Sequence, residues 1–128
     1  MTVLVPIDGS ECSQRALRYA TEFVTRFETD LHVIHITDHP KGSDELVDKA
    51  KAELESAGLV DDPEVLIDVR GFRWADRVGK DIVELVERED YEHVILGHHG
   101  TGAVGRAILG STAETVIDGT EVPVTVIH

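Results

Sequence analysis

The chain has 128 residues, 41% of them hydrophobic, and 25 acidic residues against 12 basic ones give it a formal net charge of −13. That length suits one domain around a single core, and the apolar runs are a few residues long, far short of a membrane span. A field this negative repels nucleic acid and anionic membranes. The first run, Thr2 to Ile7 (TVLVPI), closes on Asp8-Gly9-Ser10 and reads as a buried strand and turn. No basic stretch precedes it and an acid follows at Asp8, so the opening does not read as a secretory leader. Ser10 is an N-cap signal, and Ala16, Leu17, Ala20, Phe23, Val24 and Phe27 follow at helical spacing. Cys12 is the single cysteine, which excludes an internal disulfide and fits a reducing cytoplasm.

Leu31 to Ile36 (LHVIHI) is the second predicted strand, broken by Asp38-His39-Pro40-Lys41-Gly42. Ser43 caps a second helix through Leu46, Val47, Ala50 and Leu54, and Gly58 stops it. Glu64 to Val69 (EVLIDV) is the third strand, ended by Arg70-Gly71. Ala75, Val78, Ile82, Val83, Leu85 and Val86 carry a third helix. Tyr91 to Leu96 is the fourth strand, a glycine-rich loop follows, and a helix runs from about Thr112 to Asp118. Val122 to Ile127 (VPVTVI) is the fifth strand. Unbroken alternation of strand and helix predicts one α/β domain over residues 1–128. Its expected form is an open, doubly wound, five-stranded parallel sheet in the order 3-2-1-4-5, with helices on both faces. In such sheets ligands bind at the carboxyl ends of the strands where the order reverses. That point lies between strands one and four, whose loops begin at Asp8 and Gly97.

Three phosphate-binding patterns compete for the loop GHHGTGAVGRAILGST, Gly97 to Thr112. Gly100-Thr101-Gly102-Ala103-Val104-Gly105 is a literal G-x-G-x-x-G, but the strand after it ends Val126-Ile127-His128 without the ribose-binding acid. Gly105 to Gly110 has the spacing of a Walker A loop, but Ser111-Thr112 follow directly and the lysine is absent. The third pattern uses the whole stretch: Gly97-x-x-Gly100, nine residues, then Gly110-Ser111 at a helix start. That spacing is the glycine signature G-x2-G-x9-G-S/T, and with it the chain resembles the nucleotide-binding branch of the universal stress protein family from end to end. Val5-Pro6-Ile7-Asp8-Gly9-Ser10 resembles the family's first strand and its acid, Leu31 to Ile36 its second strand, and Glu121 to Val126 its last.

The resemblance implies a cytoplasmic, homodimeric, ATP-binding regulator of the stress response, without efficient catalysis. The nucleotide would bring Mg²⁺ or Mn²⁺. Asp8 would meet the ribose or an associated metal, Pro6, Ile7, Ile36 and Leu96 would line the adenine, and Gly97, His99 and Gly100 would lie against ribose and phosphates. Gly110, Ser111 and Thr112 would offer backbone N–H groups and a positive dipole end to the phosphates. Arg106 would reach the phosphates or stand as a solvated loop charge. Other readings of these residues stay open: Asp8 as a turn or cap acid, Ile36 and Leu96 as plain core, and Ser111-Thr112-Ala113-Glu114 as a capping box. The family also dimerises through its last strand, here the apolar Val122–Ile127 edge.

His98 is the less usual of the loop's two histidines, and adjacent rings rarely reach one ion, so the pair reads as polar lining and no metal site is assigned. His32 and His35 lie on opposite faces of a strand and cannot pair. Trp74 and the short Pro40–Gly58 segment depart from the family pattern. No nucleophile and base stand at a helpful spacing near Cys12 or Ser13. Dispersed acid with lysine confined to Lys41, Lys49, Lys51 and Lys80 fits a halophile's cytoplasm, or an ordinary acidic protein. The alternative function is a dimeric interaction module of the same fold whose pocket takes no nucleotide.

Overall fold

The computed structural model describes residues 1–37, 40–59, 62–71, 78–98 and 111–128. Its elements are β1 (Thr2–Pro6), α1 (Glu11–Phe27), β2 (Asp30–Thr37), a 3₁₀ turn (Pro40–Gly42), α2 (Asp44–Ser56), β3 (Val65–Gly71), α3 (Val78–Glu89), β4 (His93–Gly97), α4 (Ser111–Gly119) and β5 (Val124–Ile127). The five strands form one sheet in the order β3-β2-β1-β4-β5, and every neighbouring pair is parallel. This is the expected doubly wound order, with β1 and β4 at the switch point.

Two differences from the sequence-based bounds, at β3 and β5, have a local cause. β3 runs on through Arg70 and Gly71, because β2 extends to Thr37 and offers both residues partners. β5 starts at Val124: Pro123 has no N–H to pair, and its carbonyl accepts from Val94 N at 3.0 Å instead. β4 starts at His93, and α4 starts at Ser111, one residue before the expected Thr112. Ser43 does hold the N-cap position of α2, but its side chain makes no capping hydrogen bond.

Alternation along β1 builds two cores. Val3 and Val5 pack under Ala16, Leu17, Ala20 and Val24 of α1 and Ala50 and Leu54 of α2. Leu4 packs on the other face with Ile34, Val94 and Leu96 beneath Ile82 and Leu85 of α3 and Val116 of α4. Val3, Leu4 and Val5 are fully buried, as a central parallel strand demands. The two helices of the second face meet at small residues: a Cβ on Gly79 would stand 2.7 Å from Thr115 Cβ, and one on Gly119 the same 2.7 Å from Val83 Cγ2.

The same face seals its amino end with His32. This residue is buried, its Nδ1 meets the Tyr91 hydroxyl, and Tyr91 stands two residues before β4. Burial lowers the His32 pKa from its ordinary value, and Arg70 adds to this while Asp68 and Glu89 oppose it. The folded state thus holds His32 neutral while the unfolded chain takes up its proton below about pH 6.5, so stability falls as pH drops through that value. His93, also lowered by burial, acts in the same direction. Melting temperature is expected to fall between pH 7.5 and 5.5, and His32→Gln to flatten part of that slope. Equal slopes for the variant and the parent chain would show that His32 does not carry the effect.

Candidate functional site

The strands of a parallel sheet all end on one side, and helices start there. At the switch point the ends of β1 and β4 diverge, and a cavity of about 300 Å³ opens between them. β1 and its loop contribute Pro6, Ile7 and Asp8, β2 contributes Ile36, β4 contributes Leu96 and Gly97, and α4 contributes Ser111 and Thr112. These eight expected site residues therefore come together at one place. The other four, His99, Gly100, Arg106 and Gly110, lie outside the described residues, as does Trp74.

The cavity also takes Ser13 from α1, Val78 and Ile82 from α3, Ala113 from α4, and His98. Val78 and Ile82 read from the sequence as the apolar stripe of a helix. Their spacing of four residues puts them on one face, and that face turns to the sheet at its carboxyl end. The signal was present, but only the three-dimensional crossover shows which turn of the stripe reaches the cavity.

The loop after β1 is held by a small closed network. Asp8 Oδ1 accepts from Ser10 N at 3.0 Å and from Ser10 Oγ at 2.6 Å. Ser10 is the N-cap of α1, and its Oγ accepts from Ser13 N at 3.2 Å. Ser13 Oγ in turn accepts from Asp8 N at 3.0 Å. Gly9 makes the turn possible with a φ of +85°, which L side chains rarely adopt. Asp8 is thus a turn acid and a cavity residue at once, so its two readings are compatible.

Gly97 has a second neighbour besides the cavity. A Cβ built on it would lie 2.5 Å from Cys12 C, 2.6 Å from Cys12 O and 2.8 Å from Ser13 N. The backbone of α1's first turn occupies the space a side chain would need. One residue on, His98 N donates to Ile127 O at 3.0 Å, and the His98 ring meets the His128 ring edge-on at 5.5 Å between centroids.

Among the described lining residues only Asp8 and His98 are titratable, and the rest of the wall is apolar or hydroxyl-bearing. Positive potential must come from the helices. α4 opens directly on the cavity, and the N–H groups of its first turn have no partners within the helix. That arrangement suits an anion at α4 and an apolar, planar group between Ile36, Val78, Ile82 and Leu96. Among the described residues no three His, Cys, Asp or Glu side chains are placed to hold a metal ion, and no helix is long and apolar enough to cross a membrane. The two strand histidines point apart, as their spacing requires: His35 Nδ1 meets Ile7 O at 2.8 Å, while His32 faces α3.

Gly97→Ala should cost about 1–3 kcal/mol through forced displacement of α1's first turn. Chemical denaturation would measure it, and an unchanged midpoint would show that α1 moves away freely.

The model of the universal stress protein family matches residues 1–128, the whole chain. Universal stress protein MJ0531 of Methanocaldococcus jannaschii is 26% identical over 144 residues, covering 98% of this chain and 80% of the relative. Among solved structures, a universal stress protein in complex with cAMP superposes with a TM-score of 0.77 at 21% identity, covering 100% of this chain and 96% of the other. A universal stress protein from Archaeoglobus fulgidus in complex with dAMP gives a TM-score of 0.62 at 23% identity, covering 100% and 98%. At these identities the structural likeness speaks for the fold.

Proposed function

The chain belongs to the universal stress protein family, and from that premise we propose that it binds ATP in the β1–β4 cavity and acts as a nucleotide-dependent regulator without efficient turnover. The observation that carries this reading is the pairing, in one cavity at the switch point, of an apolar slot with the open N-terminus of α4. Related structures with cAMP and dAMP support an adenine nucleotide as the ligand class. Adenine would enter between Ile36 and Leu96, with Pro6 and Ile7 at its edge. Ribose would lie by Asp8 and Gly97. The phosphates would meet Ser111 and Thr112, joined by His99, Gly100, Arg106 and Gly110 of the glycine loop.

A metal fits this site only as part of the nucleotide complex. Asp8 is the one carboxylate among the described lining residues, and its Oδ1 already serves the turn. Mg²⁺ is commonly held by one or two carboxylates with substrate phosphates and water, so Asp8 would supply a single protein contact to Mg²⁺ or Mn²⁺. The bound ion would screen charge between the phosphates and this carboxylate.

β5 is an edge strand with half-buried side chains. We propose that Val122–Ile127 pairs with the same strand of a second copy, giving a symmetric cytoplasmic homodimer. Light scattering is expected to give twice the 14.1 kDa chain mass, and Val124→Lys to give the monomer. A monomeric parent chain would refute the pairing. The second reading, an interaction module with no nucleotide, is favoured by one fact: an anion must approach a chain of net charge −13.

Calorimetric titration of ATP with Mg²⁺, at low and at high salt, separates the two. Binding should weaken about tenfold or more in Gly110→Ala, equivalent to about 1.4 kcal/mol. High salt should strengthen binding by screening the acidic surface, as a halophilic protein would require. No heat of binding by the folded parent chain at either salt concentration would leave the interaction module.

A further inference from the structure

We infer that the amino end of the sheet carries a second binding site, for a neutral polyhydroxylated small molecule such as a sugar or polyol, built on His32, Asp68 and Leu66. It lies at the opposite end of the strands from the β1–β4 cavity and does not depend on the nucleotide reading.

Strand register assembles it. His32 of β2 pairs with Leu66 of β3, and Ile34 with Asp68, so all four side chains share the sheet face that α3 covers. α3 does not extend over the outer part of β3. A cavity of about 450 Å³ opens there, lined by His32, Leu66 and Asp68 together with Arg70, Glu89 and Tyr91. Its wall is braced: Arg70 Nε donates to Asp68 Oδ2 at 2.8 Å, and Arg70 Nη1 to Glu89 Oε2 at 2.9 Å.

Within this braced wall one donor and one acceptor are left unconnected. The His32 ring is buried, with the residue only 7% exposed, and its Nδ1 meets the Tyr91 hydroxyl. Burial first, and Glu89 after it, push the Tyr91 phenol up to about 12, so it keeps its proton at neutral pH. Among the described residues His32 is the only hydrogen-bond partner of that phenol. Tyr91 therefore donates to Nδ1, and the ring proton of the neutral imidazole sits on Nε2. Asp68 Oδ2 stands 3.8 Å from Nε2, too far for a hydrogen bond, and Nε2 makes none among the described residues. Asp68 Oδ1 makes no hydrogen bond among the described residues.

A donor and an acceptor side by side, fixed and unjoined, are the complement of a hydroxyl pair. One hydroxyl accepts from Nε2–H and its neighbour donates to the Asp68 carboxylate. Beside them Leu66 is 59% exposed, an apolar patch for the C–H face of the same molecule. Charge narrows the class. Among the described lining residues Asp30, Glu64, Asp68 and Glu89 face Arg70 as the one cationic side chain, so anions, nucleotides included, are repelled. Arg70 is already bonded to both Asp68 and Glu89, and the remaining acids, Asp30 and Glu64, sit two residues before His32 and Leu66 in the chain, at the rim. A neutral ligand is the one that uses Nε2–H and Asp68 together.

The test follows the His32 imidazole nitrogens by NMR in protein labelled with ¹⁵N-histidine, titrated above pH 7 with D-glucose and, separately, with glycerol. A saturable shift of His32 Nε2 with a millimolar midpoint is expected for at least one of them. The shift should vanish in Asp68→Ala, weaken several-fold in Leu66→Ser, and persist in Ser111→Ala at the other end of the sheet. Unchanged His93 and His98 signals certify the fold of each variant, and Leu66→Ser, which leaves the polar pair intact, stands in should Asp68→Ala not fold. The inference is overturned by the absence of a saturable shift, by a shift that survives Asp68→Ala or Leu66→Ser undiminished, or by a shift produced by tetramethylammonium and not by glucose or glycerol.

Discussion

The contact on which the most structure depends is the one between the end of β4 and the start of α1. Gly97 leaves no room between its Cα and the Cys12 carbonyl, so the first turn of α1 rests directly on the strand. Because α1 is seated there, Ser10 can cap it, and Asp8 and Ser13 can close the loop in between. The same seating places the loops after β1 and β4 on either side of one cavity. A side chain at Gly97 would push the helix and the cavity apart together. Glycine here serves the fold first, and any ligand meets a backbone already fixed by that packing.

Much of this was legible in the sequence because parallel sheets simplify the reading. A strand buried on both faces is an apolar run, and each helix must bury one stripe. Val3-Leu4-Val5 and the Ala16-Leu17-Ala20-Val24 stripe are such signals, and both fall in the core. Strand order could be expected because alternation leaves few right-handed solutions. Eight of the cavity residues could be named in advance because the family resemblance marked them, while topology alone pointed only to the loops that begin at Asp8 and Gly97.

What the sequence hid are the places where two elements decide together. β3 continues through Arg70 only because β2 is long enough to pair with it. Val78 and Ile82 look like any apolar stripe until the fold brings that turn of α3 to the cavity. Ser13 looks like a surface serine near a helix start, yet it is 3% exposed and holds the Asp8 amide. His32 carries no local signal at all, since its role arises from Tyr91, 59 residues away in the chain.

The two ends of the sheet meet the same net charge in opposite ways. At the amino end, Arg70 pairs with Asp68 and Glu89 side chain to side chain, and acid stays in excess over that one guanidinium. At the carboxyl end the described cavity wall has few charges to pair, and the positive potential comes from the N-terminus of α4. A helix terminus of this kind has no counter-ion to lose and no long side chain to immobilise. On a chain with 25 acids, a cationic side chain has many carboxylates to pair with, whereas a backbone N–H in a first turn cannot be captured in that way. That difference lets so acidic a chain hold positive potential at the cavity, and it does so where strands end and helices begin.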